Sequence, residues 1–159
     1  MRSPIRSRIL AVLLLAMLVA GPASAAAEAR AFEITEVAPG VHVHQGLIED
    51  WLPGNGGDVA NLGFIVGERC VAVIDTGGTP AVGRALKAAV ERTTRLPVCY
   101  VIHTHAHPDH VLGGSVFVAP GTRFVGHTRM SAALAAREPY LRNALQRDFG
   151  IELPAGGIA

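Results

Sequence analysis

The chain has 159 residues, of which half are hydrophobic, and a formal net charge of +1. This composition is that of one folded domain and gives no sign of disorder or repeats. Because the charges nearly balance, neither nucleic acid nor an anionic surface is favoured as a partner.

The N-terminus has the pattern of a secretory signal. Three arginines in the first eight residues precede an apolar run, Ile9–Ala20, and small residues follow at Ala23–Ala25. The run is shorter than the ~18–20 residues that span a bilayer, which favours cleavage over a membrane anchor. We predict a signal peptide at 1–25, a single domain at 26–159, a periplasmic or secreted location and no membrane association after cleavage.

The segment from Phe32 to Ile74 predicts a series of β-hairpins, because apolar and polar residues alternate between turn signals. His42 and His44 alternate with valines, so they share one strand face, which we expect to be polar. The glycine-rich loop Gly46–Gly57 interrupts the strands and carries Trp51, the only tryptophan. This tryptophan is our candidate for a wall of the substrate cleft.

The pattern then changes to strand, helix and strand, which implies a parallel crossover. A helix is predicted from Pro80, with Thr79 as its cap, to about Arg92. A buried strand follows at Val98–Ile102 and a short strand at Arg123–Val125. A further helical segment runs from about Arg129 to Phe149, and Pro139 breaks or kinks it. Cys70 and Cys99 are either a disulfide, as export permits, or two buried thiols. The sequence leaves both states open.

Four of the seven histidines lie within eight residues, 103–110, directly after a predicted strand. Packing does not require such a cluster, whereas a divalent metal accepts neutral imidazoles and carboxylates as ligands. His105 and His107 are two residues apart, so both side chains can reach one ion. Asp109 and His110 suit a second ion beside it. This mixture of ligands favours two Zn²⁺ ions over iron or manganese.

Three other polar residues are candidates for the surroundings of this site. Asp75 ends a predicted strand, where it is either a turn aspartate or a carboxylate that braces a metal-binding histidine. We expect His103 to lie outside the ligand set, and His127 to be a local cap or surface group.

The cluster Thr104–His110 resembles the T-H-x-H-x-D-H signature of the metallo-β-lactamase-fold hydrolases. Supporting segments occur in the order expected for that family: Asn61–Val66, Val73–Gly77 and Gly113-Gly114. Together with the export signal, Gly56–Asn61 and Gly67–Gly77 most resemble its periplasmic branch, the quinoprotein relay system zinc metallohydrolases.

The resemblance implies an αββα sandwich of two similar halves, with this chain as the N-terminal half, a mixed sheet with helices on one outer face. It places His105 and His107 at a first zinc and Asp109 and His110 at a second, with Asp109 also orienting a hydroxide nucleophile. Members of the family supply the remaining ligands from a C-terminal half, which would follow Ala159.

The expected function is therefore zinc-dependent hydrolysis of a small-molecule substrate, in which a metal-bound hydroxide attacks an ester, thioester or lactam-type bond. Two alternatives remain. One is a non-catalytic metal-binding module, and the other is a di-iron redox protein on the same fold.

Overall fold

The computed structural model describes residues 32–154 and residue 158. The predicted signal peptide at 1–25 lies outside the described residues. Among those that are described, none belongs to a helix long and apolar enough to cross a membrane.

In the described part of the chain, six strands form one mixed sheet whose spatial order follows the chain order. The first four pair antiparallel as successive hairpins, and the last three pair parallel, which confirms the predicted hairpins and crossover. The strands are β1 (Thr35–Ala38), β2 (Val41–His44), β3 (Leu62–Val66), β4 (Val71–Ile74), β5 (Val98–Ile102) and β6 (Arg123–Val125).

Among the residues described, the helical elements are α1 (Pro80–Thr93), α2 (Pro108–Val111), α3 (Met130–Phe149) and two short 3-10 turns at Pro53–Asn55 and Gly114–Phe117. Helix α1 begins as predicted, with proline in its first turn and the Thr79 hydroxyl accepting the Val82 N–H at 3.3 Å. Helix α3 continues through Pro139, so the predicted break there is wrong, while the alternative, a kink, stays a prediction. An internal proline costs about 3 kcal/mol. Leu134 and Leu141 are buried on either side of it, and each such burial contributes roughly 1.5–3 kcal/mol.

Two hydrophobic clusters within residues 32–154 and 158 stabilise the fold. The sheet core joins α1 to β3, β4 and β5, and the loop core joins α2 to α3. The sheet core consists of Ala60, Leu62, Phe64, Val71, Val73, Val82, Leu86, Ala89, Val90, Val101 and Phe117. The loop core consists of Val111, Leu112, Leu134, Leu141, Leu145 and Leu153. The histidine-rich segment between β5 and α2 therefore connects two separately packed regions.

Strand β2 departs from its predicted polar face. His42 and His44 are both buried, and their rings stack on Phe64 and Phe32 with centroid distances of 4.6 and 3.7 Å. The register pairs His42 with Phe64 in β3, so the two side chains share one face of the sheet. Phe64 packs in the same cluster as Leu86 of α1, so α1 covers that face. The predicted alternation is confirmed, but the side of β2 that carries the histidines faces the core.

The opposite face of the sheet presents apolar side chains to solvent. Ile65 and Tyr100 lie in register with Ala72 between them, and they are 43% and 40% exposed. The mixed sheet with α1 on one face is the predicted fold class.

A disulfide joins the two cysteines, so the structure adopts one of the two states that the sequence left open. Cys70 immediately precedes β4 and Cys99 lies in β5, with their Cα atoms 5.8 Å apart. Because β4 and β5 are parallel neighbours, the bond links the two strands that lead to Asp75 and to the histidine cluster.

Candidate metal centre

The histidine cluster lies at the edge of the sheet where β4 and β5 both end. Parallel strands bring their carboxyl ends to the same edge, which is where α/β proteins bind ligands. The Asp75 N–H donates to the Ile102 carbonyl at 2.9 Å, and the His103 N–H donates to the Val125 carbonyl at 2.8 Å. These bonds extend the pairing of β4, β5 and β6 and so hold the start of the cluster in place.

Helix α2 is attached to the segment after β4 by its backbone. The His110 carbonyl accepts the Thr76 N–H at 2.8 Å and the Thr76 hydroxyl at 3.0 Å, and the Gly113 N–H donates to the Gly77 carbonyl. A Cβ at Gly113 would collide with the Thr76 carbonyl oxygen. Glycine therefore follows the cluster because the two segments approach closely.

Asp75 is the centre of the hydrogen-bond network around the cluster. Only 2% of it is exposed, and it has a left-handed φ of 55°, which is uncommon outside glycine. Its carboxylate accepts the Thr104 N–H at 2.8 Å, the Thr104 hydroxyl at 2.7 Å and His110 Nδ1 at 2.8 Å. Burial works to raise the pKa of Asp75, but the bonds from His110 and Thr104 outweigh it and lower the pKa. The buried carboxylate is thus ionised and satisfied.

This network determines which ring nitrogens of two histidines carry a proton. An ionised carboxylate can only accept, so His110 Nδ1 is protonated where it meets Asp75. The Thr104 hydroxyl gives its single proton to Asp75, so it accepts from His105 Nδ1 at 2.9 Å. Nε2 of a neutral His105 then keeps its lone pair. Asp75 thus orients His110 directly and His105 through Thr104.

The protonation of the cluster is uneven. Burial and the neighbouring His110 and His107 lower the pKa of His105. Burial also works to lower the pKa of His110, yet its hydrogen bonds to Asp109 and Asp75 raise it to about 9. The bond from His110 in turn lowers the pKa of Asp109. His105 is therefore ready to donate a lone pair, whereas His110 must first lose a proton.

The predicted ligands lie close together. The ring centroids of His105 and His107 are 4.6 Å apart, and those of His105 and His110 are 4.0 Å apart. His110 Nε2 lies 3.2 Å from Asp109 Oδ2. Two donors of one tetrahedral zinc, with bonds of about 2.0–2.1 Å, are separated by about 3.3 Å. The donor types and this separation fit zinc.

The described residues do not complete a coordination sphere. Among them, no group of three or more His, Cys, Asp or Glu side chains is arranged to hold one ion. Structural zinc sites have four protein ligands and catalytic sites have three. The cluster therefore fits zinc in chemistry but supplies part of each set of ligands.

The other histidines near this edge have different surroundings. His103 is buried, with Nδ1 3.9 Å from Asp75 Oδ1 and its ring stacked on Phe124 at 5.8 Å. His127 is exposed in the turn before α3, where its Nδ1 accepts the Arg129 N–H at 3.2 Å, and α3 has no side-chain cap, so His127 is the predicted surface group.

Trp51 contacts the segment before α1 and the end of α3. Its indole N–H donates to the Gly78 carbonyl at 3.1 Å, and its ring lies 4.5 Å from that of Phe149. These contacts attach Trp51 to the loop core. Its contact with a substrate stays a prediction.

A cavity of about 430 Å³ borders Asp109 and His110. Its other lining residues come from 46–49 and 59–61, and they include Leu47 and the fully exposed Ile48. Sequence reasoning named Trp51 in this loop but not Leu47 and Ile48. These two could have been found in the sequence, because they are adjacent apolar residues within a polar, glycine-rich loop.

Sequence reasoning also missed Arg137 of α3. Its Nη1–H donates to the carbonyl of Ala106, the residue between His105 and His107, at 3.2 Å. Ala106 also packs against the loop core. Helix α3 therefore contacts both the backbone and the side chain at the middle of the cluster.

Comparison with known proteins agrees with this geometry. The model of the metallo-beta-lactamase superfamily matches residues 55–151, which is more than half of the chain. Among curated proteins, none matches closely enough to count as a relative.

Solved structures share the fold. A metallo-beta-lactamase from Hirschia baltica is 24% identical, with a TM-score of 0.56 over 67% of this chain and 48% of its own. The metallo-beta-lactamase FIM-1 from Pseudomonas aeruginosa, in its mono-zinc form, is 17% identical, with a TM-score of 0.56 over 67% and 46%. A double mutant of the sec-alkyl sulfatase PisA1 is 20% identical, with a TM-score of 0.51 over 65% and 16%.

This chain spans about half the length of the two lactamases. The family match covers β3 to α3, including the whole histidine cluster and Asp75. The chain belongs to the metallo-beta-lactamase superfamily.

Proposed function

We propose that this chain is the N-terminal part of an exported, zinc-dependent hydrolase that acts on a small molecule. The observation that carries the proposal is the network around Asp75, which orients His110 directly and His105 through Thr104. Metal-binding histidines are commonly oriented in this way by a carboxylate behind them. Membership of a superfamily that includes zinc hydrolases supports it.

In this proposal His105 and His107 hold one Zn²⁺, and Asp109 and His110 hold a second. Zinc, when bound, supplies Lewis acidity and makes water acidic enough to attack at neutral pH. Asp75 keeps the His110 ring in place and holds its Nδ1 proton. Asp109 stays ionised, so it can accept a hydrogen bond from the attacking water and orient it.

In this proposal the remaining zinc ligands come from a further part of the protein. Three observations support this. The cluster offers two donors for each ion, the chain spans about half of the lactamases it matches, and one sheet face exposes Ile65 and Tyr100. A second layer of the sandwich would cover that face. The proposal also includes export, with removal of residues 1–25 and no association with a membrane afterwards. It includes no nucleic acid partner.

The substrate is proposed only as a chemical class. The bond attacked is an ester, thioester or lactam, and the branch proposed is that of the quinoprotein relay system zinc metallohydrolases. The segments Gly56–Asn61 and Gly67–Gly77 support the branch.

The test is to purify the product of the complete reading frame from the periplasm and to measure its metal content and hydrolysis. p-Nitrophenyl acetate, an acyl-thiocholine and nitrocefin represent the three bond classes. We expect about two zinc ions per chain and hydrolysis of one class, lost with a chelator and restored by zinc. Iron with an absorbance band would indicate the redox alternative. Bound zinc without hydrolysis of any ester, thioester or lactam would indicate the metal-binding module.

A further inference from the structure

The loop formed by residues 46–58, which we call the 46–58 loop, is closed at its base and lies beside the predicted second zinc site. The Leu47 N–H donates to the Asp58 carbonyl at 2.9 Å. Residues 46–49 line the cavity that also contains Asp109 and His110. The position of Asp58 therefore affects where Leu47 and Ile48 meet a molecule in that cavity.

Asp58 is bound in turn by a buried histidine of the sheet. His44 Nε2 lies 2.7 Å from Asp58 Oδ1, and His44 Nδ1 lies 2.8 Å from the Glu33 carbonyl oxygen. The side chain of His44 is 1% exposed and that of Asp58 is 16% exposed. A carbonyl oxygen can only accept, so Nδ1 carries a proton, and the ring contacts Asp58 through Nε2.

We propose that His44 and Asp58 form a latch that holds the 46–58 loop against the sheet and so positions the loop wall of the cavity for substrate binding. The functional part of this inference rests on the proposed hydrolase function. Asp58 links the two regions because its side chain binds β2 while its carbonyl binds Leu47 at the other end of the loop. His44 is itself held by its stack on Phe32 and by the Glu33 carbonyl. His44 and Asp58 are positioning residues, since the cavity is lined by other residues.

A latch and a general stabilising contact make different predictions. If the pair only adds to the stability of the fold, its loss will increase opening everywhere in the sheet. If it is a latch, its loss will increase opening in the loop and leave β3, β4 and β5 protected. Trp51 is a built-in reporter, because the only tryptophan of the chain lies in this loop.

The test compares Asp58→Ala, Asp58→Asn and Asp50→Asn in the full chain without metal. Amide hydrogen exchange by mass spectrometry and Trp51 fluorescence are the two readouts. We expect Asp58→Ala to accelerate exchange across 46–58 on the order of tenfold and to shift Trp51 emission to the red. An asparagine side chain can either accept from Nε2–H through its amide oxygen or donate to Nε2 through its amide nitrogen, so Asp58→Asn should restore most of the protection. Asp50 is exposed in the same loop, and Asp50→Asn is the matched control, expected to be unchanged.

Three outcomes would overturn the latch. They are unchanged exchange across 46–58 in Asp58→Ala, equal acceleration in β3, β4 and β5, and loss of folding in that variant, since the latch predicts a local effect. The readouts need neither metal nor substrate, so they are independent of whether the complete protein hydrolyses anything. If that protein hydrolyses p-nitrophenyl acetate, Asp58→Ala should raise KM more than it lowers kcat, with zinc content unchanged.

Discussion

Two pairs of histidines in this chain have the same spacing and opposite surroundings. His42 and His44 lie in β2, where both rings are buried against aromatic side chains. His105 and His107 follow the end of β5, where both are exposed and their rings lie 4.6 Å apart. An i, i+2 pair within a strand packs into the core, whereas the same pair beyond a strand end is available to a ligand. Position in the fold, more than spacing, separates the two chemistries.

The largest expected effect is the loss of a predicted zinc ligand. In the complete protein, His105→Ala should weaken zinc binding by at least about a hundredfold, because four ligands together contribute roughly 10–16 kcal/mol in structural zinc sites. His42→Gln should leave zinc affinity unchanged and lower the free energy of unfolding. Titration against a chromogenic chelator and urea unfolding measure the two. If His105→Ala and His42→Gln bind zinc with equal affinity, the proposed difference between the two histidine pairs is wrong.

Each of the two histidine regions also has a carboxylate partner, and the two carboxylates allow a sharper comparison. Asp75 contacts His110, and Asp58 contacts His44, at 2.8 and 2.7 Å. Asp75→Asn should weaken zinc binding by about 10–100-fold, the usual effect of removing a partner of a metal ligand. Asp58→Asn makes the same chemical change and should not alter zinc affinity. A similar loss in both variants would show that neither acts through a specific histidine.

The raised pKa of His110 predicts a pH dependence. Its folded pKa of about 9 exceeds the value of about 6.5 expected in an unfolded chain. The folded state thus binds this proton more tightly, so the resulting stability is complete below about pH 6.5 and is lost as the pH rises through about 9. Urea unfolding of the metal-free chain should show this loss, and His110→Gln should flatten it. Calorimetry in two buffers should also detect a proton released when zinc binds at pH 7.5.

The smallest expected effect concerns Arg137, which holds the backbone between His105 and His107. Arg137→Ala should weaken zinc binding only a few-fold, since one exposed hydrogen bond contributes about 0.5–1.5 kcal/mol. Arg137→Lys keeps a donor and should recover part of the affinity. Arg147→Ala, on the same helix but bonded to Asp148, is the control. If the alanine variants of Arg137 and Arg147 bind zinc equally well, the contact with Ala106 has no part in the site.

Much of the fold follows from local patterns in the sequence. Alternation in the first half predicts the hairpins, and Thr79-Pro80 predicts the start of α1, because strand periodicity and helix capping are local properties. The wrong predictions depend on tertiary contacts. Pro139 stays within α3 because leucines on both sides are buried, and β2 turns its histidines inward because α1 covers that face of the sheet.

In the candidate site, too, some features follow from the local sequence and others depend on tertiary contacts. The cluster and Asp75 are recognisable because they lie within short segments that end strands. The closeness of Asp75 to Thr104 and His110, across 29 and 35 residues of sequence, depends on the parallel pairing of β4 and β5. The contacts of Trp51 with Gly78 and Phe149, and the exposure of Ile48, depend on how the loop folds back.

The most direct measurement of the central claim is the visible absorption of the complete protein titrated with Co²⁺ in place of zinc. If the cluster binds the metal, intense bands should appear in the wild type and in His42→Gln, and they should be lost or shifted in His105→Ala. Identical spectra for His105→Ala and the wild type would contradict the assignment of the exposed pair to the metal.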